Sequence, residues 1–566
     1  RQRQMCIRDR DECKMTYTVG HYLFDRLVDV GVDRVFGVPG DFNLTFLDTI
    51  VSHDKLQWIG NTNELNAAYA ADGYGRINGI SAMVTTFGVG ELSTVNGVAG
   101  SYAERVPVVA ITGGPTSVVE HAGKYVHHTL GEGDFKDFQK MFEPITVAQT
   151  RLTQVNAKEE IDRVIRLAIM EQRPVHIHLP VDVAAKEVEE GLLEFDVTEK
   201  NITSEHKQWL SELKETIDNS KQPVILTGHE INSFKLHDEL KAFVEATNIP
   251  IAQLSLGKGA IDETIDQYIG MYAGAISEDD VRNYVDSSDC IINIGAKLTD
   301  SATAGFSQKF DAKDMQIINH RNTDILNYHD EDIALSVWLK ELQDLGINKR
   351  NDEYKSYQHQ YDVLVDEVTG NELTQKSLHS LMNQYLEPND ILLAEQGTSF
   401  FGAYEMHLPS KVSYIGQPLW GSIGYTLPAL LGTQMADLDR RNILMIGDGS
   451  LQLTVQSIST MIREGIKPII FVVNNDGYTV ERIIHGEKQH YNDIKMWDYK
   501  SIPATFGAKE DEVELHDVKT DKQFVEVFDK INANKDVLHY VELHTAVMDA
   551  PENLYEIGKA FANQNK

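Results

Sequence analysis

The chain has 566 residues, enough for three or four domains at roughly 150 residues each, and its 42% hydrophobic and 24% charged residues are the balance of a folded globular protein. Its 86 acidic side chains against 52 basic ones give a formal charge of −34, which argues against nucleic acid and anionic membranes as partners. No apolar run approaches the ~18 residues of a spanning helix, and no apolar segment follows the early arginines as a secretory signal requires; a cytoplasmic protein is expected.

In chain order, residues 1–14 are basic and aperiodic and are read as a non-native tail, the alternative being a disordered one. Two of the three cysteines, Cys6 and Cys13, lie there; Cys290 alone lies in the body, so no disulfide framework is expected. From residue 15, β-branched runs alternate with helical periodicity, the pattern of α/β domains built on parallel sheets. Strands are expected at Arg34–Val38, Ala82–Thr86, Val108–Thr112 and Val175–Leu179, within a first domain over 15–190. An acidic linker at about 186–210 leads to a middle domain over 205–345, with strands at Val224–Gly228, ending at Gly295, and at Gln316–Asn319. A polar linker from Asn348 to Gln360 precedes a third domain over 361–566, with strands at Asp390–Leu393, Asn442–Ile446 and Pro468–Val473. No short repeat is evident.

Three Gly-x-Gly segments, at Gly88–Gly90, Gly257–Gly259 and Gly447–Gly449, lack the third glycine of a dinucleotide fingerprint, since Ser93, Asp262 and Gln452 stand there. The last has a companion: 24 residues separate Gly449 from Asn474-Asn475-Asp476-Gly477. One helix and one strand fill that interval, so a right-handed crossover brings Asp448 and Asn475 to the carboxyl ends of neighbouring strands. Asp448, Asn475 and the Gly477 carbonyl then offer three oxygens to Mg2+, and a diphosphate offers more. Gly447, Gly449 and Ser450 surround that crevice, with the amides that open the following helix turned toward the phosphates. Alone, Asp448 is equally an N-cap and Asn474-Asn475 a turn; together they favour the cation. His176 and His178, two apart on a strand, could hold a metal, but no third ligand is evident and ordinary packing is favoured.

The Gly-Asp-Gly to Asn-Asn pattern resembles that of thiamine diphosphate enzymes. From Met15 to Lys566 the chain is similar to 2-oxo acid decarboxylases of the indolepyruvate, branched-chain and pyruvate decarboxylase group. The matching segments include Phe36–Asp41, Asn63–Ala67, Thr86–Ser93, Lys124–Thr129, Gln417–Gly424 and Tyr478–Arg482. The resemblance implies three parallel-sheet α/β domains, thiamine diphosphate and Mg2+ as cofactors, and a small 2-oxo acid as substrate. Glu64 matches the carboxyl group that holds the cofactor's pyrimidine ring, Gly421 the carbonyl that accepts from its amino group, and Ile423 the apolar residue that keeps the cofactor bent. Asp41, His127, His128 and Glu481 match the groups that handle protons once carbon dioxide has left.

The His127-His128 pair separates aldehyde release from an acetolactate-type carboligase, the first runner-up; a flavin-containing oxidase is the second. By resemblance the substrate pocket is lined by Phe400, Val480 and Ile484, with Ser301 entering from the middle domain and Ile557 and Phe561 covering it. Ser301 stands where pyruvate-selective relatives carry a larger aromatic, which implies an aromatic or branched-chain substrate, with pyruvate as the alternative. Cys290 does not match the activating cysteine of some relatives, so substrate activation is not expected. The resemblance further implies a homodimer as the minimal active unit and a homotetramer built from two of them.

Overall fold

Runs of Ile, Val and Leu form strands covered by helices on both faces, so nearly every side chain along them is buried. Ile443, Leu444, Met445 and Ile446 are all fully buried, as are Ile470 to Val473 beside them. The protein is described here by a computed structural model over residues 16–564; the tail at 1–14, with Cys6 and Cys13, lies outside the described residues. Among them three sheets form, of six, seven and six strands.

The first sheet is wholly parallel, in the order Gln57–Gly60, Arg34–Gly37, Ser81–Thr86, Val108–Gly114, Val175–Pro180, Ala148–Arg151. The third is parallel too, in the order Ser413–Ile415, Ile391–Ala394, Asn442–Gly447, Ile469–Asn474, Leu538–His544, Val513–Val518. The middle sheet runs Gln316–Asn319, Cys290–Ile294, Pro223–Thr227, Ile251–Gln253, Tyr268–Met271 in parallel, and an antiparallel hairpin, Tyr328–Asp330 with Asn322–Ile325, extends its other edge beside Gln316–Asn319.

Numbered within each domain, the first and third sheets share one strand order, although no sequence repeat announces it. Their equivalent helices, Glu64–Asn78 and Thr426–Ala436, each link the second strand to the third and pack against one another. The contact is reciprocal: a Cβ on Gly73 would stand 2.2 Å from the Ala429 carbonyl oxygen, and one on Gly432 would stand 1.9 Å from that of Ala70. Only glycine permits this approach, and one apolar core runs through both domains as a result. The middle domain keeps separate cores of its own.

The acidic linker is shorter than expected. Thr203, whose hydroxyl accepts from the His206 amide, caps a helix over Ser204–Asn219 that starts inside the expected 186–210 linker. The preceding segment is strapped to the first domain: the Arg26 guanidinium, paired with Asp162, donates to the Leu193 carbonyl at 2.7 Å, and Phe195 lies against it. The polar segment after Asn348 is irregular, tied by the Tyr357 amide to the Tyr268 carbonyl at 2.8 Å. No helix of the described residues is long and apolar enough to cross a membrane.

Candidate active site

Two sets of the expected residues gather at the carboxyl ends of strands, one on the first sheet and one on the third, where parallel α/β sheets open their crevices. On the first, the strand Arg34–Gly37 leads to Asp41, and Val108–Gly114 leads into the loop that carries His127 and His128. His127 Nε2 lies 2.5 Å from Asp41 Oδ2, and His128 Nε2 lies 3.5 Å from Oδ1. Phe42 stacks on the His127 ring at 4.9 Å and meets His128 edge-on at 5.9 Å, so one aromatic face sets both imidazoles. Glycine makes the fit possible: Gly88 has φ +62°, and a Cβ there would stand 1.9 Å from the His128 carbonyl oxygen. Glu64 opens the helix Glu64–Asn78 behind the Asn63 cap, half-buried, its Oε1 3.4 Å from where a Cβ on Gly90 would sit. Gly88 and Gly90 thus serve close approach between loops, not a dinucleotide.

On the third sheet, Asp448 is fully buried at the end of Asn442–Gly447, with Oδ1 accepting from the Gly449 amide at 2.8 Å. Burial pushes its carboxyl up to about 6 against the lowering effect of the amides of Gly449, Gly477 and Asp476. Asn475 Nδ2 donates to Thr479 Oγ1 at 2.9 Å, and that hydroxyl donates onward to the Val547 carbonyl at 2.7 Å. Turned over, the same amide donates from Nδ2 to Asp448 Oδ1 at 3.1 Å and to the Gly477 carbonyl at 3.2 Å and accepts from the Thr479 hydroxyl at 2.9 Å, the arrangement that satisfies these groups without a cation. A cation favours the first orientation, in which Asn475 Oδ1 joins Asp448 Oδ1 and the Gly477 carbonyl as a third oxygen. Mg–O bonds of about 2.0–2.1 Å place neighbouring octahedral ligands about 2.9 Å apart, close to this spacing. The donor set therefore fits Mg2+. Gly477 has to be glycine: its φ is +119°, and a Cβ would stand 2.4 Å from the Asn492 carbonyl oxygen. At Gly449 a Cβ would strike the Tyr478 ring at 2.5 Å, while Gly447 has open space above it, and Ser450 is buried in the same first turn.

Gly421 takes φ +67° in a turn whose amide bonds back to the Gln417 carbonyl at 2.8 Å, which places Ile423 half-buried at its tip. The turn is clamped by the first domain of the same chain. Glu104 Oε1 accepts from the amides of Leu419 and Trp420 at 3.0 and 3.2 Å, Tyr69 meets Ser422 Oγ at 2.5 Å, and Arg76 holds Glu104 and Asp72. Sequence reasoning missed Glu104, which carries no local motif. It also missed Glu395, directly after Ile391–Ala394, whose carboxyl burial pushes up to about 7 while it accepts from the Thr426 amide and hydroxyl.

Phe400, Val480, Ile557 and Phe561 meet in one apolar cluster, with Ala304 and Ile276 from the middle domain. Ser301 Oγ donates to the Pro418 carbonyl at 3.3 Å and so reaches the turn that carries Gly421. Ile483, rather than Ile484, packs into the cluster. Glu481 is exposed in the first turn of Thr479–Ile484. Among the described residues no hydrogen bond or ion pair joins Asp41, Glu64, His127 or His128 to Asp448, Asn475 or Glu481. His176 and His178 each take a carboxylate, Glu91 at 3.1 Å and Glu120 at 2.7 Å, as packed histidines do.

Family models for thiamine pyrophosphate enzymes match the N-terminal binding domain over residues 17–141, the central domain over 210–338 and the C-terminal binding domain over 397–543. Pyruvate decarboxylase isozyme 3 of Saccharomyces cerevisiae is 40% identical over 564 residues, which cover 97% of this chain and 99% of the relative. An alpha-keto-acid decarboxylase of Mycobacterium avium is 42% identical over 496 residues, 87% of this chain and 88% of the relative. In fold, the chain is similar to the thiamine diphosphate-dependent 4-hydroxybenzoylformate decarboxylase of Rhodococcus jostii RHA1, with a TM-score of 0.77 and 19% identity over 94% of this chain and 99% of that one. With N-terminal and C-terminal thiamine pyrophosphate binding domains both matched on one chain, and relatives of this kind along nearly its whole length, the protein belongs to the thiamine diphosphate-dependent 2-oxo acid decarboxylases, which are carboxy-lyases.

Proposed function

We propose that this enzyme converts bulky apolar 2-oxo acids, aromatic or branched such as indolepyruvate, phenylpyruvate or 2-oxoisovalerate, to the aldehyde and carbon dioxide. The observation that carries this reading is the apolar cluster of Phe400, Val480, Ile557 and Phe561, to which the middle domain brings Ala304 and Ile276, with the small side chain of Ser301 at the neighbouring Pro418 carbonyl. Pyruvate is the second reading, favoured by the identity with yeast pyruvate decarboxylase along the whole chain.

Asp448, Asn475 and the Gly477 carbonyl would hold Mg2+ and through it the diphosphate, with Gly449 and Ser450 beside it; Glu64 would hold the pyrimidine ring, with Gly421 and Ile423 beneath. Bound there, the cofactor supplies the electron sink for the bond that loses carbon dioxide. The chain's own groups then move protons. One must reach the carbon that carried the carboxylate, and one must leave the hydroxyl that becomes the aldehyde. Asp41 accepts from His127 Nε2, which keeps the ring proton on that nitrogen and turns the Nδ1 lone pair outward as a base. His128 shares the same carboxylate from its other oxygen, and Glu481 supplies a carboxyl group from the diphosphate side.

Because no hydrogen bond or ion pair among the described residues joins Glu64 to Asp448 or Asn475, the reading includes a homodimer in which Glu64 of one chain faces Asp448 of the other, with a homotetramer above it. A cytoplasmic place of action is part of the same reading, supported by Cys290, a buried unpaired thiol. The test is a panel of kcat/KM values for pyruvate, 2-oxoisovalerate, 2-oxoisocaproate, phenylpyruvate and indolepyruvate with thiamine diphosphate and Mg2+. The larger acids should lead. Ser301→Tyr adds a whole aromatic ring and should move the pyruvate to phenylpyruvate ratio about tenfold or more toward pyruvate, since a single methylene-sized space is already worth about that much. An unchanged ratio removes Ser301 from the pocket.

A further inference from the structure

The strands Val513–Val518 and Leu538–His544 run parallel at the edge of the third sheet, with Glu514 beside His539 in register. Strand alternation puts His516 on the same face as Glu514. His516 Nε2 lies 3.2 Å from His539 Nδ1, and Glu514 Oε2 lies 3.6 Å from each of those nitrogens. A tetrahedral ion with bonds of about 2.0–2.1 Å spaces its ligand atoms roughly 3.3 Å apart, within this range.

The three groups are held in that orientation from behind. His539 Nε2 donates to the Asn534 carbonyl at 2.6 Å, so its proton is engaged there and Nδ1 presents its lone pair. The side chain of the same Asn534 donates to Glu514 Oε1 at 2.6 Å and leaves Oε2 to face the rings. Such outer contacts, to a backbone carbonyl and to the spare carboxylate oxygen, are what orient the ligands of metal sites. The His516 and His539 side chains are 9% and 2% exposed, whereas Glu514 is 37% exposed, which gives an ion its path in and leaves a fourth position to water.

We propose that Glu514, His516 and His539 form a binding site for one tetrahedral divalent transition cation of the zinc class, separate from the Mg2+ cradle. Glu514 and His539 lie near the amino ends of their strands, five residues or about 16 Å from the level of Asn474, and His516 lies three residues or about 10 Å from it. Bound there, the ion joins the edge strand to its neighbour and to the turn that follows the helix Asp521–Ala533, so its effect is on the stability of this edge and not on the chemistry.

The test uses holoenzyme stripped of transition metals, restored with thiamine diphosphate and excess Mg2+, and titrated with Co2+ and then Zn2+. One Co2+ per chain should give the intense visible bands of tetrahedral cobalt, Zn2+ should displace it, and Zn2+ should raise the melting temperature by several degrees. His516→Gln and Glu514→Gln should each weaken Zn2+ binding about tenfold or more and leave decarboxylation unchanged. If His516→Gln fails to fold, the solvent-facing Glu514→Gln decides. A cobalt spectrum without tetrahedral bands overturns the proposal, because the two imidazoles then share only a hydrogen bond. Tetrahedral bands that survive both substitutions overturn it too, and place the ion elsewhere, as at Asp41, His127 and His128.

Discussion

In the proposed function Asp448 binds a cation as a carboxylate, yet without a metal burial holds its carboxyl up to about 6, above the ordinary 3.8. Mg2+ must therefore displace a proton below that pH. Its affinity, measured by calorimetry with thiamine diphosphate present, should fall about tenfold per pH unit below 6. The sign for stability is opposite. A raised folded pKa stabilises the metal-free protein below about 4, and that contribution is lost as pH rises to about 6, so the gain in melting temperature from Mg2+ should grow across this window. Asp448→Asn should flatten both trends, and a wild-type Mg2+ affinity independent of pH would mean that no proton is displaced. Gly88 makes a sharper case, since a Cβ there meets the backbone oxygen of His128, which cannot rotate away. Gly88→Ala should cost about 1–3 kcal/mol of stability and lower kcat at least tenfold by shifting the His127-His128 loop, with far-ultraviolet circular dichroism unchanged. Full activity in this variant would show that the loop tolerates displacement.

The helices Glu64–Asn78 and Thr426–Ala436 approach through Gly73 and Gly432, each against a backbone carbonyl. Gly73→Ala and Gly432→Ala should each destabilise by about 1–3 kcal/mol, because backbone has no rotamer with which to give way. Both substitutions act on one separation, so the double variant should cost less than the sum in thermal or denaturant unfolding, and strict additivity would sever the two contacts. This interface was invisible in the sequence, where Gly73 and Gly432 sit in helical runs without any partner signal. The central strands were legible because burial on both faces demands uninterrupted apolar runs, as at Asn442–Gly447 and Ile469–Asn474. Leu538–His544 escaped because its buried His539 and Glu542 interrupt the run, and the edge strands Gln57–Gly60 and Ser413–Ile415 are too short to show a period. At the site, Asp448 and Asn475 were legible from their spacing across one crossover. Glu104 and Glu395 were not, because each acts through contacts more than 30 residues away or through burial, which no local pattern records.

At the scale of the molecule, the first and third domains repeat one topology and meet through equivalent helices, yet among the described residues no hydrogen bond or ion pair joins Glu64 to Asp448 or Asn475. In the proposed homodimer, two chains related by a two-fold axis complete two sites between them, each from the first domain of one chain and the third domain of the other. Complementation distinguishes this from a site closed within one chain. Glu64→Gln chains and Asp448→Asn chains should each be nearly inactive alone, the first retaining its Mg2+ ligands and the second its pyrimidine contact. After mixing, unfolding and refolding together, half of the dimers at random are mixed. Each mixed dimer carries one site with both substitutions and one site with neither. Activity should therefore return to about a quarter of the wild-type level per chain. If every site were built from a single chain, each would still carry one substitution after mixing, and no activity would return.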